Sequence, residues 1–161
     1  MIKDELIEKY ILPFYLKTDL LVDNQELLNE WRNSIDFEIN LKDFLSNKGW
    51  RNRVVASTVI GGLKLGKFID QIFAQAKEMN EFHQAKSYAF ALTNINNKKS
   101  LEFLSILAKT ELDSDYSKKI QKFYQAGFYI LNRNYKTESN ITKEINELKL
   151  RIEKWKIINY A

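Results

Sequence analysis

Hydrophobic residues recur along this chain at the spacing of amphipathic helices, with polar residues on the opposite faces. Four segments show the pattern most clearly: residues 66–79, 81–95, 99–112 and 116–132. In each segment, apolar side chains return every three or four residues, which places them on one side of a helix with 3.6 residues per turn. Each segment is therefore predicted to be one helix that buries a single face.

The first 47 residues show a less regular pattern. Residues 3–12 are predicted to form a helix that Pro13 ends, because proline lacks the amide hydrogen that a helix interior needs. Asp23 is the predicted N-cap of the next helix, with Glu26 at the capping-box position. Residues 36–41 alternate between apolar and polar types, so this segment is either a helix or a short strand.

The middle of the chain repeats a plan of two helices. A helix from Gly49 to about Gly62, followed by 66–79, is matched by the pair 81–95 and 99–112, and the period drifts between 33 and 37 residues. Such a period is typical of stacked helical hairpins, whereas the alternative is a plain bundle of similar helices. The first helix of each unit carries small residues where another backbone could approach closely: Ala56, Ser57, Gly61, Gly62, Ala85, Ala89, Ala91, Ala126 and Gly127.

The last predicted helix carries a narrow apolar stripe. Its members step by 4, 3, 4 and 3 residues: Ile141, Ile145, Leu148, Ile152 and Trp155. Such a stripe has to cover something apolar. The favoured interpretation is a helix over residues 139–158 that caps the stack, since two heptads are short for a free coiled coil. The alternative is a homodimer through residues 141–155.

Two segments resemble a known family. Residues 49–57 read Gly-Trp-Arg-Asn-Arg-Val-Val-Ala-Ser, and residues 88–92 read Tyr-Ala-Phe-Ala-Leu after Phe82 and Ala85. Over about residues 49–131 this pattern resembles an uncharacterised bacterial family of HEAT-like, all-helical proteins. The shared positions are mostly packing residues, so the resemblance implies a fold and carries no activity with it.

Together, these patterns predict a single all-helical domain over residues 1–161. We expect an all-α, HEAT-like stack of antiparallel helical hairpins, an α–α superhelix of about eight or nine helices. Residues 1–47 supply acidic N-terminal helices, residues 48–132 the hairpin repeats, and residues 139–158 the capping helix. No linker rich in glycine, serine or proline divides the chain.

Charge is distributed unevenly behind the net value of +4. Residues 1–47, the acidic head, carry a net charge of −5, and residues 48–161, the basic body, carry +9. The simplest interpretation is that the head docks on the body and partly neutralises it. The alternatives are that the body offers a basic surface to an acidic protein or to nucleic acid.

Composition and motifs argue against most catalytic chemistry. The chain has no cysteine and one histidine, which excludes disulfides, thiolate–zinc sites and paired-histidine metal sites. His83 is interpreted as a solvated or capping residue, and Asp113 and Asp115 as helix-capping residues rather than magnesium ligands or an acid–base pair. The glycines of residues 61–66 are interpreted as a joint between helices rather than a phosphate cradle. We therefore predict no enzyme, no cofactor and no metal.

The candidate partner-binding residues are Trp50, Arg51, Arg53, Tyr88 and Tyr124. Tryptophan, tyrosine and arginine are enriched among the residues that contribute most to protein interfaces. The favoured interpretation of the first three is that Trp50 covers the core while one arginine pairs with an acidic residue of the head. The alternative is that they are exposed to a partner.

The predicted function is that of a non-catalytic protein-binding protein. The specific expectation is a bacterial immunity or antitoxin-like protein that neutralises a toxin domain. The alternative is a nucleic-acid-binding HEAT-like protein, including a DNA glycosylase-type repair protein, for which Asp70 and Trp50 are the pair to test. The longest uncharged apolar stretch, residues 54–63, is about half the length needed to span a bilayer. We therefore expect no membrane association and a cytoplasmic protein, with a monomer favoured.

Overall fold

The structure, a computed structural model, describes residues 4–15, 17, 20–78, 81–132 and 139–156. These residues form ten α-helices and no strand, which confirms the all-α prediction. The helices are α1 (Asp4–Leu6), α2 (Leu20–Asp23), α3 (Gln25–Arg32), α4 (Phe37–Ser46), α5 (Trp50–Gly62), α6 (Ile69–Ala76), α7 (Phe82–Ile95), α8 (Lys98–Lys109), α9 (Asp115–Leu131) and α10 (Thr142–Lys156). A π-helix (Ile7–Ile11) follows α1, and 3-10 turns (Gly66–Phe68 and Ser139–Ile141) precede α6 and α10.

Helices α5 and α7 form the centre of the molecule. Residues 54–62 of α5 are buried, and so are residues 84–94 of α7 except Lys86. The two helices run parallel, because Thr58 lies beside Ser87 and the Asn94 amide donates to the Gly61 carbonyl at 2.9 Å. Helix α9 packs on the other side of α7, α6 touches α7 and α8, and α8 packs on α9. Helices α5, α7 and α9, the first helices of the predicted units, therefore lie next to one another in chain order.

Small residues allow the central helices to approach closely. A Cβ added to Gly61 would lie 2.5 Å from the Cα of Ala91, closer than real atoms come. A Cβ added to Gly127 would lie 2.5 Å from the Thr93 hydroxyl. The prediction that the small residues of these helices mark close packing is therefore confirmed at Gly61, Ala91 and Gly127. Close packing offsets the entropic cost of glycine inside a helix.

Helix α10 lies across the stack rather than on its last hairpin alone. It contacts α9, α7 and α5. Near its start the Glu147 carboxylate pairs with Lys86 of α7 at 2.8 Å, and near its end the Trp155 ring reaches Phe90 of α7 and Gly62 of α5. Four of the five stripe residues are buried, and Ile152 is half-buried. The stripe packs on the chain itself, across three helices rather than on the end of the stack. Residues 157 and 158 of the predicted helix lie outside the described residues.

Two leucines of α10 test this packing. Leu148 is fully buried and Leu150 is 61% exposed. We expect Leu148→Ala to lower the free energy of unfolding by about 2–5 kcal/mol. Leu150→Ala, the matched control, is expected to change it by less than about 0.5 kcal/mol. Urea unfolding followed by circular dichroism measures both variants. A Leu148→Ala variant that keeps its stability but changes mass on a sizing column would favour the homodimer instead.

The acidic head has its own aromatic centre at Trp31. The Trp31 ring stacks on Tyr10 with 4.8 Å between centroids and meets Phe37 edge-on at 5.5 Å. Phe37 begins α4, so residues 37–41 are helical and the strand alternative is wrong. The N-cap of α3 lies one residue after the predicted one. The side-chain Oδ1 of Asn24, not Asp23, accepts the hydrogen bond from the Leu27 backbone amide at 3.3 Å.

The head meets the body along α4 and along the π-helix. Both pack on α5, and the Gln71 side-chain amide of α6 donates to the Ser46 hydroxyl of α4 at 2.8 Å. Lys67 and Glu38 form an ion pair between body and head, and both side chains are more than half exposed. Because exposed ion pairs contribute little, apolar packing holds the two parts together more than charge does.

Candidate functional site

The first turns of α5 and α7 lie side by side at one edge of the stack. Because the two helices run parallel, Trp50 at the start of α5 meets His83 in the first turn of α7. Their rings stack with centroids 5.7 Å apart and an angle of 24° between planes. Gly49 precedes α5 in an extended conformation and sets the direction in which that helix begins.

Further rings continue this pair in both directions. Tyr15 of the head meets Trp50 edge-on at 5.3 Å, and Phe82 meets His83 edge-on at 5.8 Å. The Arg51 guanidinium lies 4.8 Å from the Tyr15 ring and 4.9 Å from the Trp50 ring, within the range of cation–π attraction. We call these five residues, Tyr15, Trp50, Arg51, Phe82 and His83, the aromatic–arginine surface.

The aromatic–arginine surface is accessible to a partner. Arg51 and His83 are exposed, Phe82 is 39% exposed, and Trp50 and Tyr15 are half-buried. The rings contact one another, and Phe82 is anchored edge-on to the buried Phe123 at 5.0 Å. The exposed groups therefore start from a partly ordered arrangement and would lose little side-chain freedom on binding.

Polar contacts behind the surface hold the start of both helices. The Arg53 Nε donates to the Asn47 carbonyl at 2.7 Å, and Arg53 Nη1 lies 3.4 Å from the Glu78 carboxylate. At α7, the Glu81 carboxylate accepts from the Gln84 backbone N–H at 2.6 Å and so caps the helix. Arg53 therefore pairs with Glu78 of the body, not with an acid of the head.

Two tyrosines lie in the core beneath this edge. The Tyr88 hydroxyl donates to Gln84 Oε1 at 3.0 Å. Burial raises the pKa of the Tyr88 hydroxyl above its ordinary value, and burial raises the pKa of Tyr124 as well. Both groups are therefore neutral in the folded protein at any pH near 7.

Alkaline titration tests the burial of these tyrosines. Their folded-state pKa values lie above the unfolded value of about 10, so their contribution to stability is complete below pH ~10 and is lost as pH rises further. We expect the ionisation of each buried tyrosine to lower the free energy of unfolding by about 1.4 kcal/mol per pH unit above pH ~10. Tyr88→Phe should make this fall in stability with pH less steep, because one of the two buried phenols is gone. Urea unfolding at intervals between pH 8 and 11.5 measures the slope, and equal slopes in the wild type and Tyr88→Phe would contradict this assignment.

The structure separates the predicted partner-binding residues into two groups. Trp50 and Arg51 belong to the aromatic–arginine surface, and Arg53 supports it from behind. Tyr88 and Tyr124 are 2% and 0% exposed, so they offer no contact area to a partner in this conformation.

Sequence reasoning missed Tyr15, Phe82 and His83 as members of the surface. The signal for His83 was present in the repeat, because His83 follows Trp50 by 33 residues, the same interval that separates Ala56 from Ala89. Tyr15 reaches the surface only through the docking of the head, which no local pattern reports.

The other chemical candidates take structural roles. The N-cap of α9 is Ser114 rather than Asp113: its hydroxyl accepts from the Ser117 backbone amide at 3.0 Å, and Asp115 lies in the first turn. Residues 61–66 form the joint between α5 and the turn before α6, closed by the Leu65 amide on the Ile60 carbonyl at 2.9 Å. Asp70 pairs with Lys99 on an exposed face. Across the part of the chain that the structure describes, no three histidine, aspartate or glutamate side chains group closely enough for a metal ion.

Comparison with known protein families, with curated proteins and with solved structures finds no match to this chain. The resemblance to a bacterial HEAT-like family therefore stays a prediction. A membrane-crossing helix would need a longer apolar run than any helix within the described residues provides.

Proposed function

We propose that this chain is a non-catalytic binding protein that contacts another protein through the aromatic–arginine surface. The observation that carries the proposal is that Trp50 contacts both His83 and Arg51 at an accessible helix edge. Tryptophan and arginine supply a large share of binding energy where they are enclosed by a partner. The ring contacts limit the entropy that these side chains lose on binding.

The charge of this surface indicates the chemistry of its partner. Arg51 is exposed, and Lys48, also exposed, lies two residues before the start of α5. A partner surface with carboxylates around an apolar centre complements this arrangement. The specific function that we propose is that of an immunity or antitoxin-like protein, which binds a toxin domain and so blocks it. The separation of charge between head and body supports a role in steering such an association.

A survival assay tests this proposal. Cells that express the product of a gene next to this one are expected to survive when the wild-type chain is present, and the two proteins should purify together at about 1:1. Arg51→Ala and His83→Ala should each abolish protection, because both side chains are exposed members of the surface. Arg32→Ala, at an exposed arginine of α3, is the matched control and should protect like the wild type. Failure of the wild-type chain to protect against or bind any neighbouring product would contradict the proposed function.

A second candidate function, the binding of single-stranded nucleic acid, is favoured by the same ring stack. Bases stack on exposed aromatic side chains, and cations such as Arg51 contact the backbone. This alternative requires an affinity for mixed DNA and RNA that falls steeply with salt. A flat binding curve at 50 mM salt would remove it. The repair-type activity within this alternative gains no support, because Asp70 is paired with Lys99 and Trp50 contacts Tyr15 and His83 instead.

A further inference from the structure

A second accessible feature lies in the acidic head, between the N-terminal helices and α4. It is a groove of about 450 Å³ that shares no residue with the aromatic–arginine surface. Its lining consists of four apolar or aromatic side chains, two neutral polar ones and three carboxylates: Leu6, Tyr10, Ile35, Ile39, Ser34, Asn40, Glu5, Asp36 and Asp43. None of these described lining residues is a lysine or arginine.

The apolar part of the groove is exposed to an unusual degree. Ile35 is 100% exposed and Ile39 is 60% exposed, which places both among the most exposed large apolar side chains of the described residues. Ile35 lies in the turn before α4 and Ile39 lies in α4, whose buried residues Phe37, Leu41 and Phe44 pack in the core. The two isoleucines are therefore an apolar pair that the described residues leave uncovered.

The carboxylates at the rim of the groove determine which classes of partner could bind there. Glu5, Asp36 and Asp43 form no ion pair with a described lysine or arginine. The lysines beside the groove pair elsewhere: Lys9, 5.5 Å from the Tyr10 ring, pairs with Glu30, and Lys67 pairs with Glu38. Nucleic acid and anionic lipid would be repelled by three carboxylates. A metal ion is not favoured either, because no three such groups of the described chain lie close enough to share one.

We infer that this groove docks a lysine- or arginine-rich amphipathic helix of a partner protein. The apolar stripe of such a helix would cover Ile35 and Ile39, and the cations beside the stripe would meet Glu5, Asp36 and Asp43. This arrangement is the helix-in-groove mode of recognition, in which side chains at positions i, i+3, i+4 and i+7 provide the anchors. The inference concerns a surface different from the one proposed above, and either can fail without the other.

A peptide titration tests the inference. The probe is a labelled 18-residue peptide of leucine and lysine with its leucines along one helix face, and its counterpart carries glutamate in place of lysine. Fluorescence anisotropy with the wild-type chain is expected to show saturable binding of the lysine peptide and none of the glutamate peptide. Affinity for the lysine peptide should fall as salt rises from 50 to 300 mM, because salt screens the attraction.

Matched variants locate the binding site. Ile39→Ser and the double variant Asp36→Asn/Asp43→Asn should each weaken binding of the lysine peptide at least tenfold. Two controls should bind it like the wild type: Leu150→Ser, at an exposed leucine of α10, and Asp70→Asn/Asp115→Asn, which removes the same charge elsewhere.

Three results would overturn the inference. The first is that the lysine peptide does not bind the wild type. The second is that both double variants weaken the binding of this peptide equally, which would show that only net charge matters. Alternatively, the chain alone has twice its monomer mass in light scattering and Ile39→Ser returns it to a monomer, which makes a second copy the occupant. Arg51→Ala should leave peptide binding unchanged, so a failure here is distinct from a failure of the proposed function.

Discussion

Trp31→Ala is expected to lower the free energy of unfolding by about 3–5 kcal/mol, a large part of the stability of a domain of this size. The Trp31 side chain is 0% exposed and contacts the rings of Tyr10, Phe37 and Phe44. Its removal leaves a cavity at the centre of the acidic head and detaches the rings that pack against it. Urea unfolding followed by circular dichroism at 222 nm measures the change.

Tyr116→Ala is the control for the loss of an aromatic side chain. Tyr116 is 51% exposed, so its replacement should change stability by less than about 0.5 kcal/mol. If Trp31→Ala unfolds only the head, the transition should split into two steps, and the second step should keep the midpoint of the wild type. A single transition with an unchanged midpoint would contradict the central place of Trp31 in the fold.

Gly62→Ala is expected to destabilise the fold by about 1–3 kcal/mol or more, although alanine is the better helix former. A Cβ at this position would overlap the six-membered ring of Trp155, which is itself 0% exposed and close to Phe90. The ring has no space to retreat, so α10 has to shift away from α5. Urea unfolding of the variant measures the cost.

Two comparisons isolate the cause of this effect. Gly66→Ala places its Cβ 3.7 Å from the nearest atom, the Asn97 amide nitrogen, and should be neutral or slightly stabilising. In a Trp155→Ala background, Gly62→Ala should cost much less, because the overlapping ring is gone. Equal costs of Gly62→Ala in both backgrounds would show that the close approach of α10 to α5 is not the source of the effect.

The regular part of the fold could be predicted from hydrophobic spacing. Helices α7 and α9 lie within one residue of the predicted segments, and α8 ends three residues before its predicted end, because each has a face that the spacing reveals. The predicted helix 66–79 splits into the 3-10 turn at residues 66–68 and α6, since spacing does not distinguish the two types of turn. The position of α10 across three helices could not be predicted, because a stripe shows that a helix is covered without showing by what.

Residues 36–41 show how a local pattern misleads. Ile35 and Ile39 alternate with polar residues and with Phe37 and Leu41, which imitates a strand. In the structure, Phe37 and Leu41 are buried one helical turn apart, while the two isoleucines are exposed. The deviation from a simple amphipathic pattern therefore falls on the groove that we infer to be a docking site, as expected where sequence serves function as well as folding.

The candidate site was only partly predictable for a related reason. Trp50 and Arg51 stand out in the sequence as a tryptophan–arginine pair at a helix start. Their neighbours Tyr15 and His83 come from segments 35 and 33 residues away, and only tertiary packing brings these rings together. The buried Tyr88 and Tyr124 look equally suited to an interface in the sequence, since residue type alone does not report burial.

The most direct test of the central claim is the mass of the wild-type chain purified from the cells that naturally make it, measured by light scattering after nuclease treatment. The account predicts a complex with the mass of one chain plus one partner protein, and an Arg51→Ala chain that runs with the mass of the monomer alone. A wild-type chain that runs as the bare monomer, or whose companion disappears with nuclease, would contradict the proposal that the aromatic–arginine surface binds a protein.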